Sequence, residues 1–160
     1  MRKFYIAARG ERQQDARDAA ARIEIELGHL CTAQWLKVPD IRSHDGKPKI
    51  LLGEAVRDLE DILISDYVVC LSESSTTPTL RGGRHVEFGY ALAKGLPLII
   101  IGPRENVFHF LPERYKITQF DNLEAFLQSE RTAYGNVTWP LVGPNCSDSG
   151  LSSARLDRKT

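Results

Sequence analysis

The amino-acid sequence predicts an α/β sandwich built on a mostly parallel sheet, and three observations lead there. Short apolar runs alternate with longer stretches of helical periodicity along most of the chain. Polar segments carrying Gly and Pro separate them. The chain has 160 residues, 42% of them hydrophobic and 26% charged, which is the composition of one globular domain with one core.

The first strand is KFYIAA (3–8), an apolar run closed by Arg9-Gly10. A helix follows from Asp15, where Ala16, Ala19, Ala20, Ile23 and Leu27 recur at three- and four-residue spacing and Gly28 is the stop signal. LCTAQWL (30–36) reads as strand two, and PDIRSHDGKPK (39–49) as a loop, because its prolines and glycine break all periodicity. The second helix spans 50–64, with Leu52, Ala55, Val56, Leu59 and Leu63 on one stripe expected to face the core. YVVCL (67–71) is strand three and SESSTTPTLRGG (72–83) a long polar loop. RHVEFGYALAKG (84–95) is a helix closed by Gly95, LPLIIIG (96–102) is strand four, and YKITQF and NLEAFLQS supply a fifth strand and a fourth helix.

Five strands alternating with helices suit a flavodoxin-like three-layer sandwich of strand order 2-1-3-4-5, in which a ligand sits outside the carboxyl ends of strands one and three. The loops there are 8–12, 72–83 and 102–114. Residues 1–142 form the expected domain, and 143–160, rich in Ser and Gly, the expected flexible tail.

Twenty-one basic residues balance twenty-one acidic ones, so no global field draws nucleic acid or a membrane surface. Cys31, Cys70 and Cys146 show no CxxC spacing and read as buried or incidental thiols of a reducing cytoplasm. The start, MRKFYIAARGER, holds too few apolar residues for a signal sequence or a spanning helix, so a cytoplasmic protein is expected.

Chemistry-bearing motifs are few. RGGR (81–84) lacks the Gly-Lys-Ser/Thr of a phosphate loop and no GxGxxG is present, so no nucleotide cofactor is expected. It remains a glycine-rich turn opening a helix, either an anion cradle or a bare turn. Glu87 follows in the first turn or so, where the helix dipole favours the ionised form by about 0.3–1 kcal/mol. A charge partner of the helix start is one reading; a buried nucleophile beside a sugar is the other. Asp58 falls at the margin of the second helix's apolar stripe, with Glu60 and Asp61 further toward solvent. Tyr5 is a strand filler whose hydroxyl needs a partner. His29, His44, His85 and His109 show no metal-ligand spacing, so no metal is expected.

Three stretches, KFYIAARG, RDLEDILISDYVV and RGGRHVEFGYALAKGLPLIII, stand in this order over residues 1 to about 112. Together they resemble the nucleoside 2-deoxyribosyltransferase family and its hydrolase relatives, the deoxynucleoside 5′-monophosphate N-glycosidases. The resemblance implies that Glu87, in an E-[LF]-G-x-A stretch, attacks the anomeric carbon, that Tyr5 hydrogen-bonds Glu87, and that Asp58, eight residues before Asp66, stands near the leaving base. It implies a second base or water to resolve the sugar ester, free base as a product, and a homodimer or higher homo-oligomer in which Asn106 completes a neighbour's sugar site.

One departure bears on substrate. Transferases acting on free nucleosides carry an acid six residues before the glutamate and the nucleotide hydrolases a small hydroxyl, whereas this chain has Arg81. Arginine there suits a 5′-phosphate, with Arg9 as a second contact and Gly82 and Gly83 letting the backbone approach. A solvated loop charge is the plain alternative for both arginines. Three readings follow: a transferase, a nucleotide N-glycosidase, or a nucleotide sensor without turnover.

Overall fold

A computed structural model describes residues 1–44, 46–73 and 82–133, apart from the side chains of Ile41 and Arg42. The expected boundary at residue 142 and the tail at 143–160 lie outside the described residues.

Five strands form one parallel sheet: β1 (Lys3–Ala7), β2 (Leu30–Cys31), β3 (Tyr67–Leu71), β4 (Leu98–Ile101) and β5 (Ile117–Phe120), in the order β2-β1-β3-β4-β5. The predicted order is the observed one. Helices α1 (Gln13–Leu27) and α4 (Leu123–Ala133) pack together, as do α2 (Pro48–Leu63) and α3 (Gly83–Ala93), and the two pairs cover the sheet. Burial on both faces explains why β1 and β3 are near-continuous apolar runs instead of alternating ones. All five residues of β3 are buried, and Phe4, Tyr5, Ile6 and Ala7 of β1 are fully so. Ile23, Ile62, Leu98, Ile100, Phe126 and Leu127 complete the core from the helices and β4.

Strand two is shorter than the sequence suggests. The chain leaves the sheet after Cys31, where the Thr32 amide and hydroxyl both donate to the Phe4 carbonyl, at 2.8 and 3.0 Å. A 3-10 turn (Gln34–Lys37) then folds Trp35 inward. A buried indole N–H needs an acceptor, and Trp35 Nε1 donates to the Ile6 carbonyl at 3.0 Å. The expected loop at 39–49 also holds a 3-10 turn (Ile41–His44), and α2 begins within it at Pro48, a residue suited to a first helical turn.

The larger correction concerns α2, whose apolar stripe faces outward. Leu52 is 67% exposed, Val56 49% and Leu63 51%, whereas Asp61 is 6% exposed and Ile62 fully buried. Periodicity alone identifies a stripe but not its partner. At its C-terminal end the inner face is tolerated because its polar groups are satisfied: the Asp61 carboxylate accepts the Gln34 amide at 2.8 Å, and the Ser65 hydroxyl bonds the Asp61 carbonyl and the Thr32 hydroxyl. Among the described residues no helix is long and apolar enough to cross a membrane.

Two glycines are demanded by geometry. Gly28 closes α1 at φ +66°, its amide bonded to the Glu24 carbonyl. Gly102 leaves β4 at φ +111°, and a Cβ there would meet Ser72 Oγ at 2.8 Å and the Ser72 carbonyl at 3.2 Å. That contact joins the carboxyl ends of β3 and β4. Gly102→Ala is expected to cost about 1–3 kcal/mol in chemical denaturation; a change below about 0.5 kcal/mol would contradict the close approach.

Candidate functional site

The sheet order reverses between β1 and β3, and the candidate site forms at that switch point. Tyr5, in the middle of β1, is fully buried and donates its hydroxyl to Glu87 Oε1 at 2.8 Å. Glu87 is half-buried, with this carboxyl oxygen turned onto the tyrosine. Asp58, on the inner side of α2, lies close enough to the same hydroxyl to be stabilised by it in its ionised form, and its Oδ1 is enclosed without a hydrogen-bond partner. Two carboxyls from different helices thus flank one phenol.

Their ionisation differs from what the sequence suggests. Helix α3 starts at Gly83, so Glu87 is its fifth residue and lies past the first turn, where the dipole fades. Burial, then the neighbouring Asp58, pushes the Glu87 carboxyl up to about 8, against the pull of Tyr5 and Arg84. Burial, then Glu54, raises Asp58 to about 7, and the Tyr5 hydroxyl works the other way. Burial and the two carboxyls hold the phenol itself well above its ordinary range. Both carboxyls are therefore harder to ionise than free ones, and the nearby Asp58 charge adds to the shift of Glu87.

The second wall is ionic. Arg9 donates to Glu73 at 3.0 Å and lies 3.4 Å from Glu11, so its charge is already matched. Arg84 is fully buried and pairs with both oxygens of Glu105, at 3.1 and 2.8 Å. Sequence reading missed it, although its place three residues before Glu87 puts it on the same helical face. Gly82 caps α3 at φ −96°, and among the described residues a Cβ at Gly82 or Gly83 would meet nothing within 4 Å. Arg81 lies outside the described residues.

Asn106 is bound within its own chain. Its Oδ1 accepts the Phe108 amide at 2.9 Å, and its Nδ2 lies 3.2 Å from His85 Nδ1 and 3.0 Å from His109 Nε2. His85, Glu105 and His109 bring ligand-type atoms within 4.8 Å of one another. Yet the Asn106 amide lies against both rings and Arg84 occupies Glu105, so these groups form a closed hydrogen-bonded network.

This backbone has a solved counterpart. The chain shares its fold with a CMP N-glycosidase. That protein, BcmB of Clostridium botulinum, matches at a TM-score of 0.52 and 15% identity, covering 79% of this chain and 96% of its own. A conserved protein from Enterococcus faecalis matches at a TM-score of 0.49 and 20% identity, over 83% of this chain and 99% of its own. No protein-family model and no curated protein matches the sequence.

A raised carboxyl has a consequence for stability. The folded protein keeps on Glu87 a proton that the unfolded chain gives up near about pH 4.3. Stability that is complete below that pH is lost as pH rises to and through about 8. Glu87→Gln mimics the protonated form, so in thermal unfolding it should gain on the wild type progressively across that window. A difference independent of pH would contradict the assignment.

Proposed function

We propose that the protein breaks the N-glycosidic bond of a deoxynucleoside or its 5′-monophosphate. The observation that carries this reading is the convergence of Glu87 and Asp58 on the buried Tyr5 hydroxyl, with 2.8 Å between the phenol and Glu87. The motif resemblance and the fold shared with a CMP N-glycosidase support it.

In this mechanism Glu87 attacks the anomeric carbon as a carboxylate, and the bond from that carbon to the base nitrogen breaks. The bond's electron pair leaves with the base, which takes a proton from Asp58. Tyr5 holds the attacking oxygen in line. Burial raises both carboxyls above the ordinary carboxylate range, so either can hold a proton closer to neutrality than a free carboxyl does. A base placed beside Asp58 draws the proton to that side and leaves Glu87 ionised. The ester on Glu87 is then opened by a second base, completing a transfer of the 2-deoxyribosyl group, or by water, completing a hydrolysis.

Chromatography of a panel of nucleosides and 5′-monophosphates, with and without an acceptor base, tests this. Base release without acceptor defines a hydrolase, exchange only with acceptor a transferase. No reaction with any member overturns the proposal and leaves a binding protein. Glu87→Ala should fall to background and Asp58→Asn by about 10²–10⁴-fold. Tyr5→Phe, which removes a hydrogen bond of about 1.5–3 kcal/mol to a charged group, should lose about 10–100-fold.

We further propose a homo-oligomer with shared sites. The outward stripe of α2, with Leu52, Val56 and Leu63, and the exposed Phe108 and Phe110 beside Asn106 are apolar surfaces of the kind that mark protein contacts. Leu52→Glu with Val56→Glu should convert the oligomer to monomers in light scattering and reduce activity; an unchanged mass would exclude α2 from the interface.

A further inference from the structure

Arg84 is the second residue of α3, and its side chain has no exposure to solvent. The fork-to-fork pairing with Glu105 is the arrangement that fixes a guanidinium best. Glu73, just past β3, lies 3.8 Å from Nη2, and its backbone amide donates to Glu105 Oε2 at 3.2 Å. Nη1 is enclosed with no hydrogen-bond partner. A buried ion pair contributes little net stability compared with apolar residues filling the same space, and an unpartnered buried N–H adds a penalty. Stability therefore gives a poor account of this arginine.

Its surroundings give a better one. Tyr5 on β1 donates to the Glu87 carboxyl at 2.8 Å, and Arg84 stands three residues earlier on the same face of α3. The charges that act on the carboxyl are those of Asp58 on α2 and of Arg84, with the neutral Cys70 of β3 nearby. Among the described residues, Arg84 is the cation that acts on Glu87. The others are neutral or acidic. We propose that Arg84 is a positioning residue for Glu87: clamped by Glu105, it anchors the first turn of α3 against the β4 loop and supplies the positive charge that favours the ionised carboxylate.

The clamp grades that charge. Glu105 and Glu73 neutralise part of the arginine's field, and Glu87 feels the remainder. Removing Arg84 and removing the Glu105 charge must therefore move Glu87 in opposite directions, which a purely architectural clamp would not do. The inference rests on Glu87 being the working carboxylate of the proposed reaction, but its test needs no turnover.

The test is carbon-13 NMR of the full chain labelled at glutamate carboxyls, with the Glu87 signal assigned by Glu87→Gln. Relative to the wild type, Arg84→Met should raise the Glu87 titration midpoint by about one pH unit. Arg84→Lys, which keeps the charge, should stay close to the wild type. Glu105→Gln should lower the midpoint, and should add little in the Arg84→Met background if it acts through Arg84. Midpoints that coincide in Arg84→Lys and Glu105→Gln, the variants that keep a cation, would overturn the proposal even if Arg84→Met fails to fold. So would a shift in the same direction for Arg84→Met and Glu105→Gln. Midpoints that move as stated in a protein that turns over no substrate would leave this inference standing and remove the enzymatic one.

Discussion

Everything at the candidate site depends on one hydrogen bond, from the Tyr5 hydroxyl to the Glu87 carboxyl at 2.8 Å, made in the interior beside a second carboxyl. Taking a carboxylate out of water is expensive unless its charge is matched or removed. Here the match is partial: one phenol, one arginine already shared with Glu105, and Asp58 pushing the other way. The cost falls on ionisation: burial and the neighbouring Asp58 make the Glu87 carboxyl harder to ionise than a free one.

The fold supplies that arrangement economically. Because β1 lies between β2 and β3, Tyr5 is buried on a central strand while its hydroxyl reaches the place where the strand order reverses. Helices α2 and α3 pack together and bring Asp58 and Glu87 to it from two directions. The close approach of Gly102 to Ser72 fixes the carboxyl ends of β3 and β4. From those ends Glu73 and Glu105 reach Arg9 and Arg84, so one ionic network ties the loops after β1, β3 and β4 to the start of α3.

Much of the architecture was legible in the sequence, because a parallel sheet buried on both faces leaves uninterrupted runs such as YVVCL and a helix leaves a periodic one. Glu87 stood out as a carboxylate in apolar company, whereas Tyr5 and Asp58 were singled out by the motif resemblance, and the structure brings the three side chains together. What escaped depends on partners distant in sequence. The stripe on α2 is periodic whether it faces the core or a neighbour, and only the hydrogen bonds of Asp61 and Ser65 show which face turned in. The early end of β2 follows from Trp35 finding the Ile6 carbonyl, a contact across 29 residues. Arg9 reads as a free cation until Glu73 is placed beside it, and Arg84 as a flanking charge until Glu105 is. The charge on Glu87 was misjudged because helix position is local, whereas burial is a property of the whole fold.

The most direct measurement is to look for the sugar on the protein. After mixing with a substrate found by base release, the reaction is quenched in acid, digested, and its peptides weighed. The account predicts a sugar or sugar-phosphate adduct on the peptide containing Glu87, at that residue, disappearing when acceptor base or water is given time to react. Base release with no adduct on any peptide, or an adduct on a different side chain, would contradict it.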